Sequence, residues 1–219
     1  MSPPAPLWRW GDPVEPLRDL LRRGGVLGIP TESSYGLAVD PWNPAGVEAV
    51  YRIKSREAGK PLLAVVADVG QLAELGIDPD LPVLERLAAC WPGPLTVVLP
   101  LTGLTRSTGP LPAAAGTGRL AVRVPGHPQL RELLADLGHG LTATSANRSG
   151  GDPLLDPAEV AELLSGEESI VVDGGILPGG PPSTLVAIEE AGPVVLRTGS
   201  YPVERLRERL GLPLREVEV

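Results

Sequence analysis

The sequence predicts an α/β protein with a mixed sheet and flanking helices, on three observations. Short β-branched runs alternate with helix-period segments from one end of the chain to the other, the pattern of helices layered on a sheet. Several helical segments open on a proline in the first turn, where its missing N–H costs nothing. Toward the C-terminus strands follow one another with no helix between them, which a purely parallel sheet does not allow.

The elements follow in order. Val26 to Ile29 is a short apolar run expected to form a buried strand. Pro30 to Asp40 leaves it as a strand-end loop carrying the hydroxyls of Thr31, Ser33, Ser34 and Tyr35 before Gly36. Pro44 to Lys54 is a helix, with basic residues at the end where they complement its dipole. Leu62 to Val66 is a strand, followed by helices over Val69 to Leu75 and Pro82 to Ala89. Strands over Leu95 to Leu99 and Leu120 to Val124 bracket a spacer of small residues, and a helix over Pro128 to Leu137 leads to a strand over Leu141 to Thr144. Asp156 before Pro157 reads as an N-cap for a helix reaching Leu164. Strands over Ile170 to Val172, Thr184 to Ile188 and Val194 to Leu196, then a helix over Val203 to Leu210, complete the pattern.

At 219 residues the chain is expected to bury one full core, and no linker divides it, so residues 1–219 are expected to form a single domain. No apolar run reaches the ~18 residues needed to span a bilayer. The N-terminal segment lacks a basic and apolar export signal, and Cys90 is the only cysteine, so a cytoplasmic protein is expected. A formal net charge of −8 argues against a surface that holds nucleic acid through its phosphates alone, so any polyanion site must be local.

One local concentration of unusual residues stands out. Of nineteen basic residues only two are lysines, Lys54 and Lys60, six positions apart with Arg56 between them. A compact ammonium kept where arginine is the rule points to an anion site, against the alternative of a solvated helix end. The hydroxyl-rich loop after Val26 to Ile29 can cradle a small polar ligand or be a polar turn. Trp91 among prolines and glycine reads as a rigid turn with an aromatic anchor. Arg123, alternating with apolar residues in a strand, faces either solvent or an anion in a cleft, and His127 is a loop histidine open to a ligand, a base or neither role. Thr144, Ser145, Asn147 and Ser149 offer hydroxyl, amide and backbone N–H groups at a strand end. Phosphate-loop and dinucleotide glycine patterns, paired-cysteine metal sites and HExxH are all missing. With one thiol and two histidines, the inventory favours positioning and charge neutralisation over covalent catalysis.

Taken together, seven segments resemble the YrdC-like family, the threonylcarbamoyl-AMP synthases: PTESSYGLA, KSR with KPL, WPGPLT, AVRVPGHP, TSANRSG, PST and LRTGS, in the family's order. The resemblance runs from about Leu17 to Ser200. Ser33, Ser34 and Ala38 depart from the Thr, Val and Gly common in the family. It is the short, single-domain form of the family that the chain is similar to.

The resemblance implies a twisted open mixed sheet with a large cleft, ATP, L-threonine and bicarbonate as substrates, and L-threonylcarbamoyl-AMP and pyrophosphate as products. Lys54, Arg56, Ser145 and Asn147 would be catalytic. Those four with Lys60, Arg119, Pro153 and Arg197 would bind ATP, and Thr31, Arg123, Ala143 and Ser183 would hold threonine. Mg²⁺ would be held mainly through the ATP phosphates. The product would pass to the threonylcarbamoyl-transferase complex that modifies tRNA, with a direct tRNA contact as a further expectation and no membrane partner. An RNA-binding module, and a paralogue using the same nucleotide cleft for other carbamoyl chemistry, are the alternative readings.

Overall fold

The computed structural model describes residues 2–57, 59–103, 109–148, 150–211 and 213–216. Its strands are β1 (Leu7–Arg9), β2 (Val26–Pro30), β3 (Tyr35–Ala38), β4 (Ala64–Val65), β5 (Leu95–Pro100), β6 (Arg119–Arg123), β7 (Leu141–Thr142), β8 (Thr144–Ser145), β9 (Ser169–Asp173), β10 (Thr184–Glu189), β11 (Gly192–Arg197) and β12 (Arg215–Glu216). The α-helices are α1 (Glu15–Arg22), α2 (Pro44–Lys54), α3 (Pro82–Ala88), α4 (Pro128–Leu137), α5 (Pro157–Leu163) and α6 (Val203–Leu210).

The mixed α/β class expected from the sequence holds, with the strands shared between two mixed sheets. One has five strands in the order β1-β9-β2-β3-β8, the other seven in the order β12-β11-β10-β5-β6-β4-β7. The expected strand over Leu141 to Thr144 is where they meet. Leu141–Thr142 pairs antiparallel with β4 in the larger sheet, and Thr144–Ser145 pairs antiparallel with β3 in the smaller. Ala143, between them, is the point at which the chain passes from one sheet to the other.

The helices form where local signals agree. α2 starts at Asn43, whose side-chain oxygen accepts from the Ala45 and Gly46 N–H groups at 3.1 and 3.3 Å, with Pro44 preset for the first turn. It stops at Ser55, which takes a left-handed conformation with φ 50°. α4 is capped by His127, whose Nδ1 accepts from the Leu130 N–H at 3.2 Å, and stops at Gly138 with φ 83°. That cap answers the question left open for His127, and burial lowers its pKa.

Two expectations change. Val69–Leu75 is a 3₁₀-helix. Pro30 to Asp40 is not a loop throughout: Tyr35–Ala38 returns as a strand antiparallel to β2, and only the Thr31 to Ser34 segment turns. β3 is buried at every position, so it lacks the apolar-polar alternation that would have marked it. The sequence also failed to signal β1, α1 and β12.

Leu17, Leu20 and Leu21 of α1 and Leu130, Leu133 and Leu134 of α4 share one core with Leu27, Ile29, Val65 and Leu141 from the two sheets. Each such side chain, fully buried, contributes about 1.5–3 kcal/mol, so this cluster anchors the sheet junction. Among the described residues no helix is long and apolar enough to cross a membrane.

Candidate functional site

A cleft of about 440 Å³ opens at the junction of the two sheets. Strand register accounts for its floor. Leu185 of β10 pairs with Arg197 of β11 and with Thr96 of β5, Val97 pairs with Val122 of β6, and Arg123 pairs with Val65 of β4. Arg197, Leu185, Thr96, Arg123 and Val65 therefore form one row across five strands, and all of them line the cleft. At about 4.8 Å per strand, three spacings put the backbones of Arg197 and Arg123 roughly 14 Å apart, ends enough for a two-part ligand.

The smaller sheet supplies the opposite wall. Thr31 closes the β2–β3 turn: its Oγ1 donates to the Ser34 carbonyl at 2.7 Å, and its N–H donates to the same oxygen at 3.1 Å. Tyr35 anchors the turn from behind, its hydroxyl donating to Gly175 O and accepting from Gly174 N, both at 2.9 Å. Burial pushes that phenol up to about 12, so it stays neutral and serves as a brace.

Lys54 is buried. Its Nζ donates to Ser145 O at 2.5 Å, Asn147 Oδ1 at 2.6 Å and Asn147 O at 3.2 Å, while Ser145 Oγ donates to the same Oδ1 at 2.7 Å. With Ser145 Oγ also 3.4 Å from Nζ, one ammonium thus ties down the turn from Ser145 to Asn147 through four acceptors. Loss of water around it, with Arg56 as a second and smaller cause, pushes its pKa down to about 8. The left-handed turn at Ser55 separates the two cations: Lys54 turns onto Ser145 and Asn147, and Arg56 lines the cleft. Arg56 Nη2 donates to Pro61 O at 3.1 Å, and its Nε is buried with no hydrogen-bond partner among the described residues.

Ser183 is held by Thr96, the two hydroxyl oxygens 2.7 Å apart, and its carbonyl accepts from Arg197 Nη2 at 2.9 Å. Burial lowers the pKa of Arg197, which as a guanidinium remains a cation. Arg123 is buried; its Nε donates to Gly93 O at 3.1 Å and its Nη2 pairs with the Glu32 carboxylate.

Of the residues singled out from sequence, Thr31, Arg56, Arg123, Ala143, Ser145, Pro153, Ser183 and Arg197 line the cleft together. Lys54 and Asn147 are not among the lining residues but hydrogen-bond to Ser145, which is. Arg119 shares the face of β6 that carries Ala121 and Arg123, but its Nη2 donates to Ile188 O and it does not line the cavity. Lys60 is exposed, with Nζ 3.1 Å from a Glu57 carboxylate oxygen. Ser149 lies outside the described residues. Sequence reasoning missed Thr96, which strand alternation places on the Arg123 face, and Glu32, whose neighbours in sequence are all hydroxyl-bearing or proline within the turn. Trp91 proves to be the anchor it resembled, its Nε1 donating to Leu95 O at 2.8 Å.

A family model for Sua5, YciO and YrdC, described as telomere recombination, matches residues 19–199. A protein of Thiobacillus denitrificans named threonylcarbamoyl-AMP synthase is 38% identical over 178 residues, covering 78% of this chain and 88% of its own. One of Bacillus subtilis with the same name is 33% identical over 192 residues, covering 88% of this chain, which spans only 55% of that relative. The crystal structure of Sua5 from Pyrococcus abyssi complexed with L-threonine superposes with a TM-score of 0.82 at 30% identity, over 97% of this chain and 62% of that one.

Proposed function

The chain belongs to the Sua5, YciO and YrdC family, and on that premise we propose that it makes L-threonylcarbamoyl-AMP from L-threonine, bicarbonate and ATP, releasing pyrophosphate. This is the first step of N6-threonylcarbamoyladenosine formation in tRNA, carried out by a cytoplasmic enzyme that passes its product to a threonylcarbamoyl-transferase complex and contacts tRNA at most locally.

The observation that carries the reading is the row of cleft residues running from Arg197 to Arg123, faced by Thr31 and the Ser145 turn. The threonine amine adds to bicarbonate with loss of water to give a carbamate, whose oxygen attacks the α-phosphorus as the bond to pyrophosphate breaks. Both partners are anions, so the step calls for fixed positive charge and a dry floor more than for a side-chain nucleophile. Arg123, beside Thr31 and Ser183, suits the amino-acid carboxylate. Arg56, with its unpartnered buried Nε, and Arg197 suit phosphate oxygens. Each charge-assisted hydrogen bond contributes about 1.5–3 kcal/mol, so two or three of them supply several powers of ten in rate. Lys54 acts through the Ser145 turn, which it holds in place.

The described residues contain no group of three or more His, Cys, Asp or Glu able to hold a metal ion. Mg²⁺ would be held mainly through the nucleotide's own phosphate oxygens.

Pyrophosphate release, measured with each substrate omitted in turn, tests the reading. Release is expected only with all three present, and equal rates without threonine or without bicarbonate would overturn it in favour of other carbamoyl or nucleotide chemistry. Arg123→Ala should raise the KM for threonine by about 10–150-fold, the loss of one charge-assisted hydrogen bond, with less effect on ATP.

A further inference from the structure

Glu32 has no place in the chemistry above, yet it touches both the Arg123 guanidinium and the backbone of the segment that follows β6. Its Oε2 pairs with Arg123 Nη2, and its Oε1 accepts from the Gly126 N–H. Arg123 Nε is committed to Gly93 O. Nε is thus taken by a hydrogen bond and Nη2 by an ion pair, while Nη1 makes no hydrogen bond among the described residues, on a side chain that lines the cleft. Glu32 belongs to the β2–β3 turn of the smaller sheet, whereas Arg123 and Gly126 belong to the larger. Its carboxylate is thus a tie between the two walls at the end where Thr31 and Arg123 stand. Gly126 leaves room for this: a Cβ built there would lie 2.9 Å from Glu32 Oε1, closer than real Cβ contacts allow.

Resting on the threonine reading of the cleft, we propose that Glu32 is the positioning residue for amino-acid recognition, orienting Arg123 toward the substrate carboxylate and setting the spacing between Arg123 and Thr31. A guanidinium held on two edges presents its remaining donors in one direction, so an incoming carboxylate meets a preorganised fork. Without Glu32 the same guanidinium turns to whatever anion is near, and the wall carrying Thr31 loses its tie.

The test is calorimetric titration of L-threonine and of ATP, separately, into wild type, Glu32→Gln, Glu32→Ala, Gly126→Ala and the Glu32→Ala/Gly126→Ala double variant, with thermal melting of each. Glu32→Ala is expected to weaken threonine about tenfold or more while ATP affinity stays within about twofold, and Glu32→Gln, which keeps the Gly126 contact, to fall between it and wild type. Gly126→Ala should copy Glu32→Ala by displacing the carboxylate, and the double variant should be no worse than either single one. Wild-type threonine affinity in Glu32→Ala, an equal loss for ATP, or additive effects in the double variant would overturn the role of Glu32 alone. A wild-type protein that binds no threonine would overturn both this role and the function on which it rests.

Discussion

The Lys54 ammonium allows a prediction with a sign and a size. Replacing it by methionine keeps the length of the side chain and removes the charge. Burial takes its pKa from the ordinary 10.5 to about 8. A drop of about two and a half pH units, at about 1.36 kcal/mol each, means that keeping the proton costs the folded chain roughly 3 kcal/mol relative to the unfolded one. Below pH 8 both states hold the proton and the whole cost is present. Between pH 8 and 10.5 the folded chain has released a proton that the unfolded chain still holds, so this residue makes stability rise with pH across that window. Other titrating groups contribute equally to wild type and variant, so the difference between their melting curves isolates Lys54. On a domain of this size about 1 kcal/mol moves Tm by 2–4 °C. Wild type should therefore gain about 6–12 °C over Lys54→Met between pH 8 and 10.5. At neutral pH the variant should also lose threonine-dependent turnover, because the carbonyls of Ser145 and Asn147 lose their shared donor. A melting difference that does not change between pH 7 and 11 would refute the account of Lys54 as a desolvated cation buried on neutral acceptors.

Two further substitutions separate site from surroundings. Lys60→Ala should leave the KM for ATP within about twofold of wild type and Tm within about 4 °C, because its ion pair with Glu57 is exposed and such pairs contribute little; a tenfold rise in KM would bring Lys60 back into the site. Gly199→Ala should lower Tm by at least about 4 °C, since a Cβ there would sit 2.1 Å from the Pro182 carbonyl and 2.7 Å from that of Ser183, backbone atoms that cannot swing away. An unchanged melting curve would mean that the Ser183 segment is looser than its contacts with Thr96 and Arg197 imply.

Much of the fold was legible where the signal is local. α2, α4 and α6 begin and end where the sequence places them, because a cap or an N-terminal proline opens α2 and α4 and a left-handed residue closes each of the three. β1 and β12 were not legible, being too short to show a period and existing only through parallel pairing with β9 and β11. For the site, the motifs pointed to Arg56, Arg123, Ser145 and Arg197, which do share a cleft. Glu32 escaped because nothing adjacent in the chain explains a carboxylate there; its two partners lie about ninety residues away, across the sheet junction.

What the sequence determined by itself, then, is the layered α/β class, the boundaries of α2, α4 and α6 and several of the residues that line the cleft, since each depends on side chains a few positions apart. Tertiary structure alone decided that the strands divide into two sheets at Ala143, that Lys54 turns inward onto Ser145 and Asn147 while Arg56 turns to the cleft, and that Glu32 closes on Arg123. Those outcomes depend on pairings 76 or more residues apart (Val65 with Leu141 being the shortest), where desolvation and strand register select the partner of each charge and no local preference distinguishes one partner from another.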